Sequence, residues 1–344
     1  MNQTIHEGRA KIHIVKTEKI SKQMPVFYNP VMKLNRDISI LLLNSLDKNN
    51  MQIADLLAGS GIRSLRFLLE LNKDKIKEIS VNDYSKGFLS YFKKSLRLNK
   101  IKINDKIIIK SEDANLFLLN SSGFDYIDID PFGTPNPFLD SAAKRLSREG
   151  ILAVTATDTA PLCGTYPEAC QRKYWAVPLR NELMHEIGLR ILIRKIQLIA
   201  MQYDKALTPI FSYYKDHYFK VFLKCEKGTK EVDEIIKQHG TFENAGPLWI
   251  GSLWDEKLVE EMVKNSKEES YSLLRIIKEE SKINTIGFYN TSKIAERNHL
   301  KTIPKKQIII EKIRKLGYKA SETHFDPEGI KTDIKLNMLI KLIR

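Results

Sequence analysis

"MQIADLLAGSGIRSLRFLLELN", Met51 to Asn72, changes its period in the middle. The first part, MQIADLLA, is a short apolar run of strand length, and GIRSLRFLLELN is a longer amphipathic run that reads as a helix. Small residues, Gly59, Ser60 and Gly61, stand at the join. The same alternation repeats downstream. EISVND (78–83) reads as a strand and SKGFLSYFKKSLRLNK (85–100) as a helix, with Phe88, Tyr91, Phe92, Ser95 and Leu96 at helical spacing. Then come the strand KIIIKSED (106–113), a short helix ANLFLLN (114–120), the strand FDYIDID (124–130), the helix NPFLDSAAKRLSREG (136–150) and the strand GILAVTATD (150–158). Strands alternating with helices in this way predict βαβ units and a doubly wound, mostly parallel sheet, an α/β fold.

After a Gly/Pro/Cys-containing excursion (159–178), a helical pattern runs from Arg180 to about Tyr203. Two further strands, ALTPIFSYYKD and HYFKVFLKCEKG, follow closely enough to form an antiparallel hairpin. From about Lys227 Lys and Glu dominate, with helices expected within 255–280 and 305–318 and a strand pair turning at Asp326-Pro327. The division read from this pattern is a catalytic domain over 1–226, with 1–35 as an N-terminal arm, and a smaller α/β C-terminal domain over 227–344. A length of 344 residues accommodates two domains at roughly 150 residues each.

The formal net charge of +14 favours a polyanionic partner, and nucleic acid is the polyanion to expect. The alternative is solvated surface charge without a partner. No stretch approaches the roughly 20 apolar residues of a membrane span. The N-terminus lacks the apolar core of a signal peptide, so the expectation is a cytoplasmic chain without a membrane partner. Cys163, Cys170 and Cys225 lack the close spacing of a zinc site and are read as reduced and structural.

Chemistry gathers at the strand ends, where ligands of doubly wound sheets bind. Gly59 and Gly61 let the backbone approach a ligand closely. Ser64 stands where a dinucleotide fingerprint would have its third glycine, which disfavours NAD. Asp83, at the tip of the second strand, can accept both hydroxyls of a ribose. Asp113-Ala114 ends the third strand, where a carboxylate can take the exocyclic amine of an adenine. Such an adenosine site without a phosphate-binding demand fits S-adenosylmethionine; helix capping by Asp83 and Asp113 is the alternative.

The fourth strand ends on Asp128 and Asp130, followed by Pro131, Phe132 and Gly133. An acid, a proline and an aromatic side chain suit methylation of an exocyclic amine. Asp130 would accept an amine N–H, orient its lone pair and take the proton that becomes acidic on alkylation. Pro131 fixes the backbone, Phe132 can stack on a planar base, and Asp128 supports Asp130 or faces the methyl donor. An Asp-Pro turn beside a core phenylalanine is the competing reading.

Together these stretches resemble the tRNA (guanine-26-N2)-dimethyltransferase family of class I, Rossmann-like methyltransferases. The resemblance runs through PVFYNPVMKLNRD, AGSGIRSLRF, NDYSKGF, DIDPFGTP, the long VTATDTAPLCGTYPEACQRKYWAVPLRNEL block, YYKDHYFKVF, GPLWIGSL and THFDPEGIKTD. It implies transfer of one or two methyl groups from S-adenosylmethionine to a guanine amine in tRNA. It also implies cofactor binding by Arg36, Arg63, Asp83, Asp113 and Ala114, and catalysis by Asp130. Phe27 and Phe132 would flank a flipped guanine, with Thr157 and Asp158 nearby. Many relatives carry a four-cysteine zinc site before GPLW; KQHGTFENAGPLW has no cysteine, so no metal is expected. A monomer is expected because no uninterrupted apolar face stands out.

Overall fold

A computed structural model of the chain describes residues 2–15, 27–300 and 302–344, so residues 16–26 of the N-terminal arm lie outside the described residues. Two compact units interleave along the chain. The first comprises 1–157, 199–208 and 220–232; the second comprises 158–198, 209–219 and 233–344.

The chain begins with an antiparallel hairpin, β1 (Asn2–Glu7) and β2 (Ala10–Val15). Helix α1 (Lys33–Ser45) leads into the alternating segment: β3 (Met51–Asp55), α2 (Ile62–Glu70), β4 (Ile76–Asn82), α3 (Phe88–Leu98), β5 (Ile107–Lys110), α4 (Ala114–Leu119), β6 (Phe124–Ile129), α5 (Leu139–Arg145) and β7 (Leu146–Ala156). The hairpin strands are β8 (Lys205–Lys215) and β9 (Tyr218–Lys227), joined through Asp216 and His217. Together β3 to β9 form one seven-stranded sheet in the order β5-β4-β3-β6-β7-β9-β8. β3 runs parallel to β4 and β6, β4 to β5, and β6 to β7. β9 lies between β7 and β8, so the hairpin closes one end of the sheet.

Burial follows from this placement. Ile53, Ala54, Tyr126, Ile127 and Ile129 are sealed on the central strands, as parallel strands covered on both faces require. Helix α3 presents Phe88, Phe92, Ser95 and Leu96 inward, the stripe its spacing predicts. Strand order reverses on either side of the β3–β6 pair, and the crevice at the carboxyl ends of these two strands is where such sheets take ligands. Gly61 opens α2 with φ +69°, and a Cβ there would lie 2.3 Å from the Phe92 ring. This glycine is therefore required twice, by dihedral and by space.

The expected helix over 136–150 is shorter than its pattern. A 3-10 turn (Asn136–Phe138) precedes α5, and the chain is already extended at Leu146. Residues 147–150 bulge from the β6–β7 ladder, whose register passes from Phe124–Leu146 to Tyr126–Ile151. Glu149 has φ +58°, the conformation the bulge demands.

In the second unit, a long helix (Met184–Met201) carries the buried Glu186. Its carboxylate accepts from Lys331 Nζ at 3.0 Å and pairs with Arg190 at 2.9 Å. Tyr289–Asn290, Gly329–Thr332 and Ala320–Glu322 form a three-stranded sheet with the glycine strand in the middle. Ile309, Ile310 and Ile313 of the helix Lys306–Lys315 join Ile330 and Leu339 in its core. The strands turn about Asp326-Pro327 as their sequence suggests, whereas the run over 255–280 divides into two helices, Glu256–Lys264 and Glu268–Glu280.

Candidate active site

Strand ends of the first unit border a cavity of about 500 Å³, within the size range of small-molecule sites. Gly59, Asp83, Arg63, Asp130, Phe27 and Thr157 all line it, as do Arg36, Pro131 and Phe132. Asp83 is the first residue after β4. Its Oδ2 accepts from Gly59 N at 2.7 Å, and its Oδ1 accepts from Ser85 N and Ser85 Oγ at 2.9 and 2.5 Å. These bonds fix the carboxylate plane toward the glycine turn, where Oδ2 keeps a second acceptor direction. Gly59 has φ +55°, and a Cβ there would sit 3.2 Å from the Phe27 carbonyl oxygen, so backbone alone fits this wall. A turn without side chains beside an oriented carboxylate suits the ribose end of a nucleoside.

Asp130 follows β6 at the same edge. Its Oδ2 receives Arg63 Nη2 at 2.5 Å, and its side chain is 21% exposed, enough to meet a ligand while held from behind. Arg63 is buried; it also donates to Asn35 Oδ1 at 2.9 Å and Ser39 Oγ at 3.0 Å, and its Nη1 stands 3.4 Å from Asp128. Asp128 faces Asp55 across the β3–β6 ladder. Burial acts to raise the Asp128 carboxyl, but Arg63 and Lys220 hold it below the usual carboxylate range. Asp55 goes the other way: burial pushes it up to about 6 against the pull of Arg63, reinforced by the charge of Asp128. Two neighbouring carboxylates thus tend to opposite protonation states.

The turn after Asp130 is clasped to the end of β7. Gly133 N donates to Thr157 Oγ1 at 2.7 Å, and Thr157 N donates to Gly133 O at 3.0 Å. Phe132, 45% exposed, meets Phe27 edge to face with centroids 4.3 Å apart. A planar base could enter between these rings only after they separate. Arg36 reaches the cavity wall, yet its Nε and Nη2 already serve Glu7 at 2.7 and 2.6 Å.

Other expected residues have local partners. Gly61 sits against Phe92 beneath the turn. Asp113 caps α4, accepting from Asn115 N and Leu116 N, and Ala114 is buried in its first turn. Asp158, in the second unit, accepts from Tyr174 Oη at 2.6 Å and pairs with Lys173 at 3.4 Å. Burial pushes the Cys163 and Cys170 thiols up to about 12, which suits structural rather than reactive cysteines. Among the described residues, no three His, Cys, Asp or Glu side chains converge as a metal site would need.

Sequence reasoning missed Glu7, Asn35 and Lys220. Glu7 binds both Arg36 and Arg66, and burial that would raise its carboxyl is outweighed by those two guanidiniums. Nothing local marks it, because its partners lie 29 and 59 residues away. Lys220 occupies an alternating strand, where a lysine reads as solvent-facing, but its side chain is fully buried.

A family model described as N2,N2-dimethylguanosine tRNA methyltransferase matches residues 8–245 and 239–344. The tRNA (guanine(26)-N(2)/guanine(27)-N(2))-dimethyltransferase of Aquifex aeolicus is 41% identical over 98% of this chain and 94% of its own. The tRNA (guanine(26)-N(2))-dimethyltransferase of Pyrococcus horikoshii is 41% identical over 99% of this chain and 97% of its own. A solved structure of Trm1 from Pyrococcus horikoshii with S-adenosyl-L-methionine superposes with TM-score 0.89 at 40% identity, covering 99% of this chain and all of that one.

Proposed function

Because the chain belongs to the N2,N2-dimethylguanosine tRNA methyltransferase family, we propose that it transfers one or two methyl groups from S-adenosylmethionine to the exocyclic N2 of guanine 26 in tRNA, with Asp130 as the catalytic acid/base group. The observation that carries the site assignment is that Asp83 and Asp130 line the same cavity, a ribose-type carboxylate after β4 and an amine-type carboxylate after β6, on either side of β3.

The cofactor supplies an electrophilic sulfonium methyl carbon. The chain's own residues do the rest. Asp130 accepts one N–H of the guanine amine, whose lone pair is otherwise delocalised into the ring, and turns that lone pair toward the methyl. As the N–C bond forms, the C–S pair returns to sulfur and the nitrogen proton passes to Asp130. Arg63, 2.5 Å away, holds the Asp130 carboxylate in place for that transfer. Partial exposure of Asp130 gives the proton a route to water.

Gly59 and Gly61 shape the cofactor turn, Asp83 holds the ribose, and Asp113 with Ala114 receives the adenine. Arg36 and Arg63 face the methionine end. Arg63 divides its donors among Asn35, Ser39 and Asp130, so its first effect falls on Asp130. Phe27, Pro131, Phe132, Thr157 and Asp158 form the base subsite. Extruding a guanine from folded tRNA costs a few kcal/mol, and phosphate contacts to the basic chain offset it. Residues 1–226 carry catalysis and 227–344 hold tRNA, in a metal-free cytoplasmic monomer. No helix among the described residues is long and apolar enough to cross a membrane.

Incubation with labelled S-adenosylmethionine and unmodified tRNA transcript, followed by nucleoside analysis, tests the reading. N2-methyl- and N2,N2-dimethylguanosine are expected from the wild-type chain. Asp130→Ala should form neither while retaining cofactor affinity. Near-normal turnover in that variant would sink the assignment.

A further inference from the structure

The Asp128 carboxylate is a liability to the site as much as a support. Two carboxylates, Asp128 and Asp130, compete for the single guanidinium of Arg63. Asp128 is the stronger competitor on burial alone, being fully sealed from water, whereas Asp130 is 21% exposed and can be hydrated. A buried charge without a partner is more costly than an exposed one, so Arg63 should lean toward Asp128. The distances show the reverse: 2.5 Å to Asp130 and 3.4 Å to Asp128.

Lys220 of β9 explains the reversal. Its Nζ lies 3.2 and 3.3 Å from the two oxygens of Asp128, both side chains fully buried. Tyr126 Oη donates to Asp128 Oδ2 at 2.6 Å. With an ammonium and a phenol already on it, Asp128 no longer needs the guanidinium. A second route closes the ring: Lys220 Nζ and Asn35 Nδ2 both donate to Thr155 Oγ1 at 3.2 Å, while Asn35 Oδ1 accepts from Arg63 Nη2. Two neighbours of the guanidinium, Asp128 and Asn35, are thereby tied to β9, the first directly and the second through Thr155 of β7.

We propose that Lys220 is a positioning residue for methyl transfer: by neutralising Asp128 it frees Arg63 to fix Asp130 in the orientation that accepts the amine proton. The inference rests on the reading of Asp130 as the group that meets the amine. The charged and titratable groups facing this cluster are Arg63 from α2, Asp55 from β3, Tyr126 and Asp128 from β6, and Lys220 from β9, with Asp130 at the cavity edge. Burial lowers the Lys220 ammonium and the Asp128 carboxylate opposes that shift.

The test compares wild type, Lys220→Met, and the charge-balanced double variant Asp128→Asn/Lys220→Met on unmodified tRNA transcript. Measured quantities are kcat over a range of pH, cofactor affinity, and formation of N2-methylated guanosine. In Lys220→Met, Asp128 should recapture Arg63. The expected result is a loss in kcat of roughly 100-fold, the scale of a misplaced catalytic group, with little change in cofactor affinity and an acid limb displaced to higher pH. The double variant removes the competing carboxylate together with its counter-charge, so it should recover most of the lost kcat and return the acid limb toward its wild-type position. A purely structural lysine would leave the pH profile of the folded variants unmoved, and that outcome overturns the proposal. So does a folded Lys220→Met with wild-type kcat. If Lys220→Met does not fold, a folded double variant with severely reduced kcat overturns it equally. A wild-type chain that methylates no guanosine N2 removes the functional reading itself, and the inference with it, a failure distinct from a shift among active variants.

Discussion

Asp55 and Asp128 face each other across one ladder step, and only one of them can cheaply carry a charge. Lys220 and Arg63 settle which. Asp55, pushed up to about 6 by burial, accepts Ser64 Oγ–H at 2.7 Å. Its folded value lies above its ordinary one, so the stability it contributes is present below about pH 4 and is lost as pH rises through about 6. Asn cannot ionise but can still accept from Ser64. The stability of wild type relative to Asp55→Asn should therefore fall by on the order of 3 kcal/mol between pH 4 and 7, read by denaturant unfolding at each pH. A constant difference across that range contradicts the assignment. At this scale Asp83 and Asp130 were legible in the sequence, because a carboxylate closing an apolar strand of a parallel sheet has few places to be except the ligand edge. Asp113 was legible only as two alternatives, and the structure gives it the capping bonds. Lys220 was not legible at all: in YFKVFLKCEK it has the same alternation a solvent-facing lysine would have, and only the strand order puts it beside Asp128.

Among the elements, the β1–β2 hairpin has the largest consequence for its size. Glu7, at the end of β1, binds Arg36 of α1 and Arg66 of α2 from a side chain 1% exposed. Tyr28 Oη adds a third donor at 3.0 Å. Glu7→Ala leaves the buried Arg36 guanidinium without its carboxylate, while Arg66 keeps Asp37 and Glu70, a loss of roughly 3–5 kcal/mol in unfolding free energy. Since the arginines hold the Glu7 carboxyl below its ordinary range, the contribution it makes is present above about pH 4.5 and is lost as pH falls through the lowered value. Unfolding of Glu7→Ala near pH 7 with an unchanged midpoint would refute the role given to the hairpin. The sequence marked 1–35 only as an arm, since a six-residue strand carrying one acid has no signature apart from its partners. The strand–helix alternation from Met51 onward was readable because period and length agree there. The β7 bulge was not, because LSREG continues a helical pattern that the ladder from Phe124 overrides.

Across the whole molecule, cutting the chain at 226 should not yield a folded catalytic fragment. Glu186 precedes that point and its partner Lys331 follows it, both fully buried. A fragment of residues 1–226 leaves that carboxylate with Arg190 alone and removes residues 233–344 from the second unit. Size-exclusion and circular dichroism measurements should find it aggregated or largely unfolded; a monodisperse fragment with native spectra would contradict this. A chain of net charge +14 should also bind tRNA with steep salt dependence, measured as affinity over a range of salt concentration. Methyl transfer is assigned to one atom of one nucleotide, which a position map reads out. Two tRNA transcripts, one with guanine at position 26 and one with adenine there, are incubated with the full chain and S-adenosylmethionine and read by nuclease mapping with mass spectrometry. One or two methyl groups on N2 of guanine 26 and no methylation at position 26 of the adenine transcript are expected; methyl groups confined to other nucleotides in both transcripts would overturn the assignment of guanine 26.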